Sequence, residues 1–180
     1  MTKLHPILIG LAIASLGTTG ANASLFGGVP APKVAIKTLQ QLPTPLPVPY
    51  EALPAKDVDA QIDAAFQKAA AENKRVIIDM GGNWCSWCRI LASVMDLPDV
   101  KPFIDQHFEV VSVDVSSTQT ALPDRNPQVM SRFKVKPKVG LPYLVIADAD
   151  GKIVHSSSDV TDDDHHTPQT MVNLLARFAK

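Results

Sequence analysis

The spacing of apolar residues changes character after residue 54 of the chain. From there, apolar side chains recur at helical spacing, which predicts a helix with Asp57 as its N-cap. The positions that carry this pattern are Val58, Ile62, Phe66 and Ala69. The next apolar runs, residues 75–80 and 108–115, are continuous and rich in β-branched residues. Such runs are typical of buried strands, so we expect a helix followed by two strands.

The remaining elements follow from periodicity, caps and turn signals. An Asp150-Gly151 pair between two short apolar runs predicts a β-hairpin, and Thr167 followed by Pro168 predicts the start of a last helix. The predicted helices cover residues 84–95, 100–106, 127–133 and 168–178, and the predicted hairpin strands cover 143–147 and 152–156. This order contains no internal repeat. It predicts an α/β fold with helices on both faces of a central mixed sheet.

The segment before the first helix is rich in proline. Seven of the fifteen prolines lie between residues 30 and 54, and those from Pro43 to Pro49 alternate with other residues. Because alternating prolines remove backbone donors and fix φ, this stretch favours neither a helix nor a central strand. We expect a linker over residues 24–54 that acts as an extended tether, in which residues 33–40 form a short edge strand. A proline-rich ligand for a partner domain is the alternative.

The first 23 residues have the pattern of a secretory signal peptide. Lys3 supplies the positive start, residues 7–16 are apolar, and Ala21 and Ala23 are small residues at the positions a signal peptidase reads. The apolar stretch is short for a membrane span, although an uncleaved anchor is the alternative. The sequence therefore predicts an exported, periplasmic protein with a folded domain over residues 55–180.

Composition narrows the possible functions. Hydrophobic residues make up 46% of the chain, which is enough to build a core. The formal net charge of −1 gives no basic excess for nucleic acid, so we expect no nucleic-acid partner. The two cysteines exclude a scaffold of several disulfides and a four-cysteine zinc site.

Cys85 and Cys88 are the residues that indicate chemistry. At this spacing on the first turn of a helix, two cysteines can form a disulfide without distorting the backbone. The helix start favours negative charge, so we expect Cys85 to be the nucleophilic thiolate and Cys88 the resolving thiol, with Arg89 as a nearby positive charge. Half of a zinc site and a purely structural disulfide are the alternatives, although a four-residue loop restrains the unfolded chain very little.

The sequence resembles the thioredoxin family over about residues 57–180. The resemblance is carried by the strand and motif of residues 76–89, which include WCSWC, by residues 139–146 around Pro142, and by the Asp150-Gly151-Lys152 hairpin. Residues 97–114 are similar to a divergent branch that includes the C-terminal domain of the electron-transfer protein DsbD. The resemblance implies a thioredoxin-like three-layer α/β/α sandwich with a central mixed β-sheet, and a thiol–disulfide oxidoreductase without a cofactor.

The resemblance also implies roles for individual residues. Asp79 corresponds to the buried carboxylate that moves the proton of the resolving thiol, and Trp84 to the tryptophan beside the disulfide. Pro142 corresponds to the cis-proline whose loop meets the substrate, so Leu141 is expected to contact substrate as well. Trp87 is expected to be exposed, as a docking residue or a hydrophobic lid.

Two departures from the family concern the pair and its surroundings. Ser86-Trp87 replaces Gly-Pro between the cysteines, so the redox potential cannot be transferred, and Ser112 stands where thioredoxins have a lysine near the buried acid. By analogy with reducing and electron-relay members, we expect an enzyme that reduces or isomerises the disulfides of exported cysteine-containing proteins, or relays electrons to them, with reduction favoured. A membrane electron-transfer partner is then implied. The alternative is a copper-handling metallochaperone that uses both cysteines and a histidine. For the Asp162–His166 run we expect a solvated charged loop before the last helix, with surface binding of Cu²⁺ or Zn²⁺ as the alternative.

Overall fold

The structure is a computed structural model that describes residues 28–116, 125–160 and 166–180. The predicted signal peptide therefore lies outside the described residues. The helices are α1 (Ala55–Glu72), α2 (Ser86–Met95), α3 (Lys101–His107), α4 (Pro127–Arg132) and α5 (Pro168–Ala176), and the strands are β1 (Arg75–Gly81), β2 (Phe108–Asp114), β3 (Tyr143–Asp148) and β4 (Ile153–Ser157).

The four strands form one mixed sheet in the order β2-β1-β3-β4. β1 pairs in parallel with β2, whereas β3 is antiparallel to both β1 and β4. Strand β1 is thus an interior strand with a neighbour on each side. Its buried position explains why residues 76–80 form a nearly continuous apolar run, with Asp79 as the one ionisable residue among them.

Helices cover both faces of this sheet, which confirms the predicted α/β/α sandwich. Because side chains alternate along a strand, Ile77 of β1 packs with residues of α2, α3 and α5, whereas Ile78 packs with residues of α1 and α4. Asp79 is an odd-numbered position like Ile77. The alternation therefore directs its carboxyl toward the sheet face on which α2 lies.

The helix ends agree with the predicted signals at α5 and differ at α1. Thr167 caps α5 by accepting the backbone N–H of Thr170, with Pro168 in the first turn, as predicted. The N-cap of α1 is Pro54, and Asp57 lies within the first turn, so the predicted cap is wrong by three residues. An acidic residue in this turn still interacts favourably with the helix dipole.

The proline-rich segment packs against the folded domain along its described part, residues 28–54. Val34 and Leu42 are buried in the core beside α2 and α5, and Tyr50 is buried beside the cysteines. The expected tether is therefore wrong for these residues, because apolar side chains between the prolines anchor the segment. Residues 33–40 form no strand; a short 3₁₀ helix, Leu39–Gln41, lies there instead.

Candidate active site

Cys85 and Cys88 lie at the start of α2 and are joined by a disulfide. Cys85 is the N-cap residue, and its Sγ accepts a hydrogen bond from the backbone N–H of Cys88 at 3.2 Å. Cys88 is fully buried, and Cys85 is 6% exposed. The more accessible sulfur therefore belongs to the cysteine that the sequence predicts to be the nucleophile, and it lies where unpaired backbone N–H groups favour negative charge.

Asp79 is a fully buried carboxylic acid on β1. Its Oδ2 accepts a hydrogen bond from the Tyr50 hydroxyl at 2.7 Å, and its Oδ1 makes no hydrogen bond with any described residue. Burial raises the pKa of Asp79 from 3.8 to about 7, an effect that the Tyr50 hydrogen bond opposes. The group can therefore both give and take a proton at neutral pH.

Tyr50 is a member of this site that the sequence analysis missed. Its ring packs with Cys85 and Cys88 in one buried cluster, to which Trp84 and Leu141 also contribute. Desolvation, reinforced by the neighbouring Asp79 carboxyl, raises the pKa of Tyr50 well above its usual value, so Tyr50 is a neutral hydrogen-bond donor. An isolated tyrosine at the end of a proline-rich stretch carries no periodic signal that would have identified it.

Trp84 packs beside the disulfide cluster, as the resemblance implies. Its indole Nε1–H donates a hydrogen bond of 2.7 Å to the carbonyl oxygen of Ser116, which follows β2. Gly82 lies beneath this contact: a Cβ there would be 2.8 Å from the indole nitrogen and 2.9 Å from the Ser116 oxygen. The glycine thus allows the indole to rest close to the backbone.

The loop before β3 lies against the disulfide. The Leu141–Pro142 peptide bond is cis, as the resemblance implies for Pro142. The carbonyl oxygen of Leu141 is 3.7 Å from Cys85 Sγ. The structure therefore brings Leu141 and Pro142 together with the cysteines, 56 residues away in sequence.

Trp87 and Arg89, both on α2, make contacts with other parts of the chain. Trp87 is 38% exposed, and its ring lies 5.1 Å from that of His166. The Arg89 guanidinium donates hydrogen bonds to the carbonyl oxygens of Leu46 (2.6 Å) and Pro47 (2.9 Å). The principal contacts of Arg89 are thus with the proline-rich segment.

Ser112 lies beside Asp79 in the register of β1 and β2. By the resemblance, this position corresponds to a lysine of thioredoxins that lies near the buried acid. In this chain the hydroxyl of Tyr50 is the hydrogen-bond partner of the acid instead. The hydrogen-bond partner of Asp79 therefore comes from the segment before the domain rather than from β2.

Two further observations bear on the sequence alternatives. Within the described ranges, no group of three or more histidine, cysteine or acidic side chains is arranged to hold a metal ion. Residues 162–165 of the acidic-histidine run lie outside those ranges. None of the helices in the described part of the chain has the length and apolar character needed to cross a membrane.

A disulfide-forming CxxC pair at a helix start, facing a cis-proline loop in an α/β/α sandwich, defines the class of thiol–disulfide oxidoreductases. The family model of thioredoxin-like proteins matches residues 57–149. A thioredoxin from Alicyclobacillus acidocaldarius subsp. acidocaldarius is 30% identical over 84 residues, which are 47% of this chain and 68% of that protein. The chain belongs to the thioredoxin-like family.

A solved structure agrees with this assignment at the level of the fold. The disulphide isomerase from Xylella fastidiosa Temecula1 superposes with a TM-score of 0.64 at 24% sequence identity. The match covers 74% of this chain and 98% of that one. At this identity the similarity establishes a common architecture, and the chemistry of this chain must be argued from its own residues.

Proposed function

We propose that this protein is an exported reductase of protein disulfides that acts through Cys85 and Cys88. The observation that carries the proposal is the position of Cys85: it caps α2, and its sulfur accepts the Cys88 N–H in a nearly water-excluded cluster. A thiolate at such a helix start has a lowered pKa and is therefore populated at neutral pH. A purely structural disulfide is a weaker explanation, since the closed loop is too short to stabilise the fold much.

The reaction begins with the reduced pair. The Cys85 thiolate attacks one sulfur of the substrate disulfide, and the other substrate sulfur leaves as a thiolate that is protonated by solvent. Cys88 then gives its proton to the Asp79 carboxylate, and the Cys88 thiolate attacks Cys85 Sγ. The second substrate sulfur leaves and takes up a proton, so two electrons have passed to the substrate and the Cys85–Cys88 disulfide remains.

Substrate recognition is assigned to the surface around Cys85. Leu141 and Pro142 border the sulfur, and the exposed ring of Trp87 lies on the first turn of α2. An extended substrate segment beside Cys85 would meet the backbone of the cis-proline loop and the indole of Trp87. These contacts suit an unfolded or flexible cysteine-containing protein, because backbone and apolar contacts do not depend on a particular sequence.

The direction of electron flow and the partners are proposed by analogy. The resemblance of residues 97–114 to the DsbD branch favours reduction in the periplasm, after export by the signal peptide. A reductase in that compartment requires a dithiol donor to regenerate it, and a membrane electron-transfer protein is the class that supplies one.

The deciding experiment is a measurement of the reduction potential of the purified protein. The fluorescence of Trp84 and Trp87 is followed across a series of thiol–disulfide buffers, with a Cys85→Ser variant as control. A two-electron midpoint at about −270 mV supports the reductase, whereas a midpoint at about −120 mV identifies an oxidant that donates disulfides. The absence of a two-electron transition, together with stoichiometric Cu(I) binding that needs both cysteines, would favour the copper-handling alternative.

A further inference from the structure

We propose that Tyr50 is a positioning residue of the reaction: its hydroxyl holds the Asp79 carboxylate in the form that accepts the proton of Cys88. The inference rests on the proposed function, because it concerns the step in which Cys88 resolves the mixed disulfide. It assigns to the segment before the domain a part in the chemistry. Tyr50 precedes residues 57–149, the stretch that the thioredoxin-like family model matches.

Tyr50 contacts both the acid and the disulfide. Its hydroxyl donates to Asp79 Oδ2 at 2.7 Å, while its ring packs with Cys85 and Cys88. Space for the ring depends on Gly81, where a Cβ would lie 2.7 Å from the Cζ atom of Tyr50. Tyr50 makes both contacts although it lies 29 residues before Asp79 in the sequence.

The backbone of Tyr50 is fixed in place by hydrogen bonds. Asn83, in the loop that leads into α2, accepts the N–H of Tyr50 at 3.1 Å and donates to its carbonyl oxygen at 2.8 Å. Arg89, on α2 itself, donates hydrogen bonds to the carbonyl oxygens of Pro47 and Leu46, which lie three and four residues before Tyr50. The element that carries the cysteines therefore also holds the tyrosine, which keeps the hydroxyl, the acid and the thiols in register.

Tyr50 also affects the ionisation of Asp79. Among the described residues, Tyr50 is the one group that opposes the effect of burial on the pKa of Asp79. The groups near Asp79 come from four elements. Tyr50 belongs to the segment before the domain, and Cys85 and Cys88 belong to the start of α2. The neighbours of Asp79 in the sheet are uncharged: Ser112 on β2 and Leu144 on β3. A donor to the ionised carboxylate lowers the pKa, so loss of the Tyr50 hydroxyl raises the pKa of Asp79 further.

The experiment isolates the resolving step. The reduced full chain is mixed with the aromatic disulfide 5,5′-dithiobis(2-nitrobenzoate), and release of the coloured thiolate is followed by stopped flow from pH 5 to 9. The first release reports attack by Cys85, and the second reports attack by Cys88 on the mixed disulfide. In Tyr50→Phe we expect the acid limb of the second phase to move up by about one pH unit or more, with the first phase little changed.

The matched control is Tyr143→Phe, which removes the other tyrosine hydroxyl of the chain, one that contacts Ser156. It should leave both phases at their wild-type pH midpoints. In an Asp79→Asn background, Tyr50→Phe should cause no additional shift, because Tyr50 acts through Asp79. Urea titration of each variant establishes that it is folded.

Two outcomes would overturn the role of Tyr50. One is a second phase in Tyr50→Phe with the wild-type pH midpoint; the other is an equal shift that persists in the Asp79→Asn background. In both, the wild-type protein still completes two phases, so the proposed function stands. If the wild-type protein releases only one thiolate per chain at every pH, the failure is that of the proposed function itself.

Discussion

Gly82 is the residue on which the placement of Trp84 depends most directly. The indole N–H reaches the Ser116 carbonyl only because nothing larger than hydrogen occupies the side-chain position of Gly82. A β-carbon there would meet backbone as well as the ring, and backbone at the end of β2 cannot be displaced without disturbing the sheet. The close approach of the indole to the backbone therefore requires glycine at position 82.

We therefore predict that Gly82→Ala lowers the free energy of unfolding by about 1–3 kcal/mol, because the added methyl group overfills a packed site. Urea titration followed by tryptophan fluorescence measures the change. Gly140→Ala is the matched control, since a Cβ at Gly140 meets only the side chain of Ser158, at 3.3 Å and beyond. An equal loss in the two variants would show that the Trp84 contact is not the cause.

At the scale of elements, the segment before α1 behaves as part of the domain. Its attachment is spread along its length: Val34 N–H donates to the Gln169 side chain on α5, and Arg89 on α2 binds the Leu46 and Pro47 carbonyls. Two helices on one face of the sheet therefore hold the segment. Near its end, Tyr50 packs in the cluster that contains Cys85 and Cys88.

We predict that Arg89→Met releases the middle of this segment, because the two carbonyls lose a charged donor. The expected loss in unfolding free energy is about 1–3 kcal/mol. Hydrogen exchange should rise in peptides that cover residues 46–53 more than in those that cover 34–42. Lys101→Met is the control, because Lys101 pairs on the surface with Asp105 and such pairs contribute at most about 1 kcal/mol. Unchanged exchange over 46–53 would contradict the proposed attachment.

The elements that the sequence predicted well are those with a local signal. The N-cap of α5 at Thr167 and the strand β1 each depend on residues within one element. Their predicted positions therefore agree with those in the structure. The cysteine pair is likewise a local motif. Asp79 and Pro142 were placed by resemblance, and the structure brings the cis-proline loop to the disulfide.

The features that the sequence could not predict depend on contacts between distant residues. Tyr50 and Asp79 are 29 positions apart, and the segment that carries Tyr50 has no periodic apolar pattern from which its packing can be read. The prolines correctly exclude regular structure there, but they do not indicate whether an irregular segment is free or docked. Arg89 is a similar case: the sequence shows a positive charge near the cysteines, but it does not reveal the hydrogen bonds to carbonyl oxygens 42 and 43 residues earlier.

At the scale of the whole molecule, the buried Asp79 carboxyl lowers the free energy of unfolding at neutral and alkaline pH. The same burial raises its pKa into the range that proton transfer at neutral pH requires. A buried carboxyl whose pKa is raised to about 7 is neutral in acid and must be ionised, away from water, in alkali. Below about pH 4, both the folded and the unfolded chain carry the proton. Between pH 4 and 7 the unfolded chain loses it while the folded chain keeps it, so the free energy of unfolding falls as pH rises.

Asp79→Asn should remove this dependence. We predict that the oxidised variant becomes more stable relative to wild type as pH rises from 4 to 7, by up to an amount on the order of 4 kcal/mol, and that the difference is constant above pH 8. Urea titrations of both proteins without reductant, at half-unit intervals of pH, measure this difference. Groups such as His155 titrate in both proteins and cancel in the difference.

A difference that does not vary with pH would mean that Asp79 ionises as readily in the folded protein as in the unfolded chain. The carboxylate would then be present throughout the neutral range, and the acid limb assigned to the resolving step would have to arise from Cys88 itself.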